Sequence, residues 1–158
     1  HLQTNKAARA VELFDLVQSV ESERLARALD WRAEQAGKVI EVLIQVNTAG
    51  AAGQSGIEPA ALESLVAALA PLQHLRIRGL MTIGAFVEDE SVVRACFARL
   101  RALRDELIAA RTGAAPDLQY LSMGMSGDFE VAIDEGSTLV RIGTALFGPR
   151  LTKPKPTE

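Results

Sequence analysis

Small and hydroxyl-bearing residues follow two short apolar runs near the end of the 158-residue chain. Residues 118–123 lead into a GMSG turn that contains Ser126, and residues 138–142 lead into a GTA turn that contains Gly143 and Thr144. A strand that ends in such a turn before a helix leaves N–H groups unpaired, and the helix dipole adds to their attraction for an anion. A plain helix N-cap or a tight turn would need the same residues. Because two such turns lie close together, the sequence predicts a phosphate site between them.

Three further residues at predicted strand ends are candidates for the same site. Arg141 lies inside the apolar run LVRIG, where a cation is costly unless it has a partner. It either contacts a ligand heteroatom or forms an ion pair with an inward-facing carboxylate. Met123 could face a flat ligand, although methionine more often fills gaps in a core. Asn47 could bind a ligand or start a turn.

Residues for the common catalytic reactions are missing from the predicted strand ends. There is no Ser/His/Asp set, no Cys/His pair and no convincing pair of carboxylates. The two histidines and the single cysteine are widely spaced, so they predict no metal site. None of the lysines lies at the carboxyl end of a predicted strand, and these are Lys6, Lys38, Lys153 and Lys155. The pattern therefore favours ligand binding over turnover.

Strands and helices alternate along the chain and would position these residues. The predicted strands are residues 14–20, 39–47, 76–83, 118–123 and 138–142. The predicted helices are residues 21–35, a segment that begins at Pro59, residues 88–113 and residues 126–135 with Ser126 as N-cap. This alternation indicates an α/β fold with a parallel sheet and helices packed outside it.

Two architectures fit the alternation: an open doubly wound sheet and a (β/α)₈ TIM barrel. The first strand is not followed by G-x-G-x-x-G, which weakens the dinucleotide-binding version of the open sheet. In barrels, the loops after the last two strands and a short extra helix often build a phosphate site, as the last two turns would here. A whole barrel takes about 250 residues. We therefore expect the C-terminal five or so β/α units of a barrel.

Composition narrows the class of protein. Apolar residues make up 48% of the chain and charged residues 23%, and the net charge is −3. These values are typical of a globular protein and predict neither nucleic-acid nor membrane binding. The single Cys96 fits a reducing compartment, so we expect a cytoplasmic protein. We expect residues 1–150 to be the C-terminal portion of a single barrel domain and residues 151–158 to be a solvated tail. The first residues, HLQTNK without a Met, suggest an N-terminal truncation.

The motifs as a set resemble a known family. The stretch LSMGMSGDFEVAIDEGSTLVRIGTALFGPR is similar to the C-terminal signature of the pyridoxal phosphate homeostasis proteins, also called the YggS or proline synthetase co-transcribed family. HLQTNK, FDLVQSVES, VLIQVNTAG, SGI and RGLMTI match that family in the same order. The resemblance implies a single barrel like the N-terminal domain of alanine racemase. It also implies pyridoxal 5′-phosphate as the cofactor, held through a lysine Schiff base at the end of the first strand.

By the same resemblance, three positions would bind the cofactor's phosphate and one its ring. Ser126 in MGMS would contact the phosphate, and Gly143 and Thr144 in RIGT would supply a backbone and a hydroxyl donor to it. Arg141 would face the pyridine nitrogen, and an arginine there disfavours protonation of that nitrogen. The ring is then a weaker electron sink, which suits a protein that holds the cofactor.

Some positions depart from the families compared. The cofactor lysine would lie upstream of HLQTNK, and no lysine of this chain matches it. Ile83 stands where alanine racemase has a histidine, and the racemase's second domain with its catalytic tyrosine is missing, so racemase activity is not expected. Gln54 stands where family members often carry lysine, which leaves the loop around it without a predicted role in binding an anion.

The resemblance therefore implies a pyridoxal-phosphate-binding homeostasis protein without turnover. The alternatives are a barrel enzyme acting on a phosphorylated metabolite, a racemase-like enzyme, or a structural remnant that folds only with partner chains. We expect a monomer if the barrel is complete. A fragment would be association-prone because its sheet edges and apolar interior are open.

Overall fold

A computed structural model describes residues 1–110 and 117–149 of the chain. The helices are α1 Ala7–Leu13, α2 Glu23–Gln35, α3 Leu62–Leu69, α4 Glu90–Ala110, α5 Phe129–Asp134 and α6 Thr144–Phe147. The strands are β1 Leu16–Val20, β2 Ile40–Gln45, β3 Leu75–Met81, β4 Tyr120–Met125 and β5 Leu139–Arg141. Within these residues, no helix is long and apolar enough to cross a membrane.

The order of the strands decides between the two predicted architectures. The five strands form one sheet in the order β1-β2-β3-β4-β5, and every neighbouring pair is parallel. A doubly wound sheet reverses its strand order at a switch point, whereas a barrel adds each strand beside the one before it. The chain therefore forms part of a β/α barrel, in agreement with the predicted class. This topology brings the carboxyl ends of all five strands to one edge of the sheet.

Local interactions explain where α2 begins and ends and why β2 is buried. α2 begins after Ser22, whose side chain accepts a hydrogen bond from the Leu25 N–H, and Gly37 ends it with a φ of 63°. A residue with this φ would be strained if it carried a side chain, so glycine suits the helix end. β2 is buried along nearly its whole length, which is typical of a parallel strand covered on both faces.

The core lies between the sheet and the helices. Its fully buried members include Leu25 and Leu29 of α2, Ile44 of β2, and Phe97 and Leu100 of α4. On α4, Arg94 and Arg101 contact the Glu135 carboxylate through their guanidinium groups at 3.1 and 2.9 Å. These ion pairs fasten the end of α5 against α4, and α5 follows the turn that carries Ser126.

Several predicted boundaries need correction. Ser126 is not the N-cap of a helix, because α5 begins at Phe129 and is preceded by Asp128. Pro59 starts a short 3₁₀ turn, Pro59–Ala61, so the α-helix itself begins at Leu62. The fourth strand runs to Met125, two residues past its predicted end, because β5 pairs with it up to that residue. The predicted end of α4 at 111–113 and the predicted tail at 151–158 lie outside the described residues.

Candidate functional site

Ser126 lies where two backbone N–H groups meet. Its Oγ accepts hydrogen bonds from the Gly143 N–H at 3.2 Å and from the Ala145 N–H at 3.1 Å. Gly143 directly precedes α6, and Ser126 follows β4, so the two predicted turns are in contact. Two amide N–H groups that converge on one point can bind an oxygen of an anion there once it replaces the Ser126 hydroxyl. Ser126 is half-buried, and Gly143 and Thr144 are exposed.

Arg141 is a half-buried cation whose hydrogen-bond partners are neutral. Its Nη1 donates to the Ser122 hydroxyl at 2.7 Å, and its Nη2 donates to the Thr82 carbonyl oxygen at 2.8 Å. Within the described residues no carboxylate lies within ion-pair distance of it, so the predicted structural ion pair is absent there. Burial lowers the pKa of the Arg141 guanidinium, and the more distant charge of Asp128 partly opposes that shift. The arginine is therefore available to an acceptor on a ligand.

A chain of polar side chains extends from Arg141 across the sheet. The Ser122 hydroxyl donates to Gln18 Oε1 at 2.7 Å, which links β4 to β1 across the sheet. The Thr82 hydroxyl and the Thr48 hydroxyl are 2.9 Å apart, which links the ends of β3 and β2. Ser122, Thr82 and Thr48 are all buried. One polar network thus includes a residue from each of the five strands or from the segment that follows it.

Most of this network is not predicted by the sequence patterns. Gln18, Ser122 and Thr82 each interrupt an apolar segment, in LVQSV, LSMG and LMTI respectively. A polar residue inside such a segment must find a hydrogen-bond partner when the strand is buried. That signal was present, but it could not identify the partners, which are up to 104 residues apart in sequence.

The structure places the other two predicted site residues away from open space. Met123 has 0% of its surface exposed and belongs to the apolar core. Asn47 is buried, and its side chain both donates to the Ala51 carbonyl oxygen and accepts from the Gly50 N–H. As placed, Met123 supports β4 from the core and Asn47 holds the loop after β2.

A groove opens beside Ser126. It has a volume of about 750 Å³ and lies between the loop after β3 and the turn after β4, lined by residues 85–88, Glu90, Val93 and residues 125–131. Its lining includes Ser126 but neither Arg141 nor Gly143. The groove is thus a neighbour of the polar site and does not contain it.

Neither a lysine nor a group of metal ligands lies at this edge of the described sheet. Lys38 donates to the Val11 carbonyl oxygen at 3.2 Å, beside the amino end of β2, and Lys6 is exposed in the first turn of the chain. Over residues 1–110 and 117–149, no group of three or more His, Cys, Asp or Glu side chains could hold a metal ion. The site consists of hydrogen-bond donors and one cation.

The fold is that of part of a β/α barrel, and the candidate site lies at the carboxyl ends of its strands. Residues 1–151 match the family described as alanine racemase, N-terminal domain. The chain is 44% identical over 149 residues to the pyridoxal phosphate homeostasis protein of Aquifex aeolicus and 43% identical to that of Vibrio cholerae, covering 94% of this chain in each case. It covers 64% and 61% of those two relatives, so it spans less than two thirds of their length.

A solved structure agrees with these relatives. The structure of PipY from Synechococcus elongatus with PLP bound is 39% identical to this chain and superimposes with a TM-score of 0.85. The match covers 94% of this chain and 68% of PipY. The chain therefore belongs to the alanine racemase N-terminal domain family and, within it, to the pyridoxal phosphate homeostasis proteins.

Proposed function

We propose that this chain binds pyridoxal 5′-phosphate and serves in the homeostasis of that cofactor, with no substrate turnover of its own. The observation that carries the proposal is the pair of donor groups at one sheet edge. The Gly143 and Ala145 N–H groups meet at Ser126 Oγ, and the Arg141 guanidinium lies on the adjoining strand with neutral partners only. The bound cofactor of PipY and the names of the curated relatives support the same ligand.

The donor set fits two parts of this cofactor. The Gly143 and Ala145 N–H groups and the hydroxyls of Ser126 and Thr144 would hold the phosphate. Arg141 would donate to the pyridine nitrogen and, being a cation, would disfavour its protonation. When bound, pyridoxal phosphate supplies an aldehyde that condenses with amines and a ring that withdraws electrons. Neither described lysine, Lys6 or Lys38, is placed to react with the aldehyde. The donors named above would therefore bind the cofactor through its phosphate and its ring.

Binding assays on the 158-residue chain test the proposal. We expect pyridoxal phosphate to raise the melting midpoint and to bind in equilibrium dialysis, and we expect pyridoxal without the phosphate to bind much more weakly. The variants Ser126→Ala and Arg141→Gln should each weaken binding about tenfold, the usual worth of a hydrogen bond to a charged or buried polar group. If both variants bind as the parent does, this is not the binding site.

The same melting assay distinguishes a competing function. The convergent N–H groups recognise a phosphate and not a pyridine ring, so a barrel enzyme acting on a phosphorylated metabolite would use them too. A ligand that binds the folded state more tightly stabilises it more. A sugar phosphate that stabilises the chain more than pyridoxal phosphate does would favour that enzyme over the homeostasis function.

The proposal extends to self-association and location. Of the described strands, β1 and β5 each pair on one side only, and unpaired strand edges invite association with other chains. We therefore expect the chain to associate at high concentration. A cytoplasmic location belongs to the same proposal, and the free, buried thiol of Cys96 is compatible with it.

A further inference from the structure

The orientation of the Arg141 guanidinium is fixed at two points. Its Nη1 donates to the Ser122 hydroxyl and its Nη2 to the Thr82 carbonyl oxygen. A guanidinium has five N–H donors in a rigid plane. Two bonds at different nitrogens therefore fix the direction of the donors that remain, and these are the donors that a ligand would meet.

The Ser122 hydroxyl is itself fixed. A hydroxyl carries one proton, and that of Ser122 is donated to Gln18 Oε1 at 2.7 Å. Its lone pairs are then free to accept from Arg141, also at 2.7 Å. Since Ser122 is fully buried, water cannot take over either role. A guanidinium has no acceptor, so the serine can only accept from the arginine; Gln18 Oε1 takes the single serine proton and so fixes the direction of the lone pairs that accept.

The second anchor of the arginine is also held in place. Thr82 is buried, its hydroxyl is bonded to the Thr48 hydroxyl at 2.9 Å, and it accepts the Gly84 N–H at 3.3 Å. The carbonyl that receives Arg141 Nη2 therefore belongs to a residue with little freedom. Both anchors of the guanidinium are buried groups with partners of their own.

We propose that Ser122 is a positioning residue that, with its hydroxyl oriented by Gln18, aligns the Arg141 guanidinium toward a neutral heteroaromatic nitrogen of the ligand. The inference rests on the proposed function for the identity of that ligand. It assigns to Ser122 and Gln18 a role in selectivity for the ring nitrogen, whereas Ser126 serves the phosphate.

The first test needs no ligand. Nitrogen-detected NMR of the chain, with the Arg141 signals assigned by their loss in Arg141→Lys, measures rotation about the Nε–Cζ bond of the guanidinium. We expect slow rotation in the parent and rotation at least about tenfold faster in Ser122→Ala, which loses one of the two anchors. Gln18→Leu should act in the same direction but less strongly, because the serine hydroxyl remains.

A matched control separates positioning from a general loss of packing. Ser137 is a nearby half-buried serine whose hydroxyl donates to the Met123 carbonyl oxygen at 2.8 Å and does not contact Arg141. Ser137→Ala should leave the Arg141 signals unchanged even if the melting midpoint falls. Slow rotation that persists in Ser122→Ala would overturn the inference, whatever ligand the protein binds.

The second test measures selectivity. The probes are pyridoxal phosphate and an analogue in which a C–H group replaces the ring nitrogen. The parent should prefer the nitrogen-containing ring, and Ser122→Ala should lower that preference about fivefold, the equivalent of one hydrogen bond, while Ser137→Ala leaves it unchanged. An equal preference in parent and Ser122→Ala would contradict the inference.

The two tests separate this inference from the proposed function. If the chain binds neither probe but Ser122→Ala still frees the guanidinium, the proposed ligand is wrong and the positioning of Arg141 by Ser122 stands. If both probes bind equally well to the parent, the ligand is right and the assigned alignment toward the ring nitrogen is wrong.

Discussion

At the residue scale, Arg141 is a cation that costs stability and that we propose binds the ligand. A half-buried cation without a carboxylate partner is destabilising, and its partial burial accordingly lowers its pKa. A lowered pKa means that the protonated form is disfavoured in the folded state. This loss of stability is present at every pH at which the arginine is protonated. It would be relieved only as the pH rises through the pKa of Arg141 in the folded state, which is beyond the range that proteins tolerate.

The variant Arg141→Met should therefore separate stability from binding. We expect its free energy of unfolding to stay within about 1–2 kcal/mol of the parent, because the apolar side chain removes the desolvation penalty of the cation while the Thr82 carbonyl oxygen loses its donor. Binding of pyridoxal phosphate should fall about tenfold or more. Chemical denaturation at pH 6 and pH 9 should give the same difference between variant and parent. A large destabilisation would instead show that Arg141 is mainly structural.

At the scale of elements, the turn between β4 and α5 is set by close packing. Gly124 has a φ of 90°, and a Cβ placed on it would lie 2.5 Å from Ala132 Cβ and 3.1 Å from Phe129 Cα. No side chain fits between the strand end and the helix without moving one of them. Glycine at this position therefore lets α5 approach β4 and holds Ser126 beside Gly143.

Two glycine variants in this turn make a matched pair. Gly124→Ala should destabilise the chain by about 2–4 kcal/mol, through overpacking and a backbone conformation that alanine disfavours. Gly127, three residues later, has an ordinary φ and no atom within 4 Å of a Cβ, so Gly127→Ala should stay within about 0.5 kcal/mol. Thermal and denaturant unfolding measure both. Equal stabilities would mean that α5 does not pack against β4 as described.

At the scale of the whole molecule, the described sheet is open at two strands. Each of β1 and β5 has one described neighbour, and Val140 on β5 is 39% exposed. Leu146 and Phe147 of the following α6 are 69% and 81% exposed. An open edge beside exposed apolar side chains favours contact with another chain.

A charge on the edge strand should reduce that contact. We expect the apparent mass of the parent to increase with concentration in sedimentation velocity, and Val140→Lys to shift it toward the monomer because a lysine opposes edge pairing. Val39→Lys is the control, since Val39 is 46% exposed but precedes the internal strand β2. A parent that stays monomeric at every concentration would contradict the expected association.

The sequence by itself determined the succession of strands and helices, the parallel sheet, the two turns of small residues and the family. These follow from local periodicity, from turn chemistry and from motifs that are contiguous in the chain. The strand order confirmed the barrel that the sequence predicted. Only the tertiary structure decided that Ser126 accepts from Gly143 and Ala145 and does not cap a helix, and that Arg141 donates to Ser122 and Thr82. Those contacts join residues that lie far apart in sequence, and hydrophobic patterning does not specify which buried polar groups pair once the strands align.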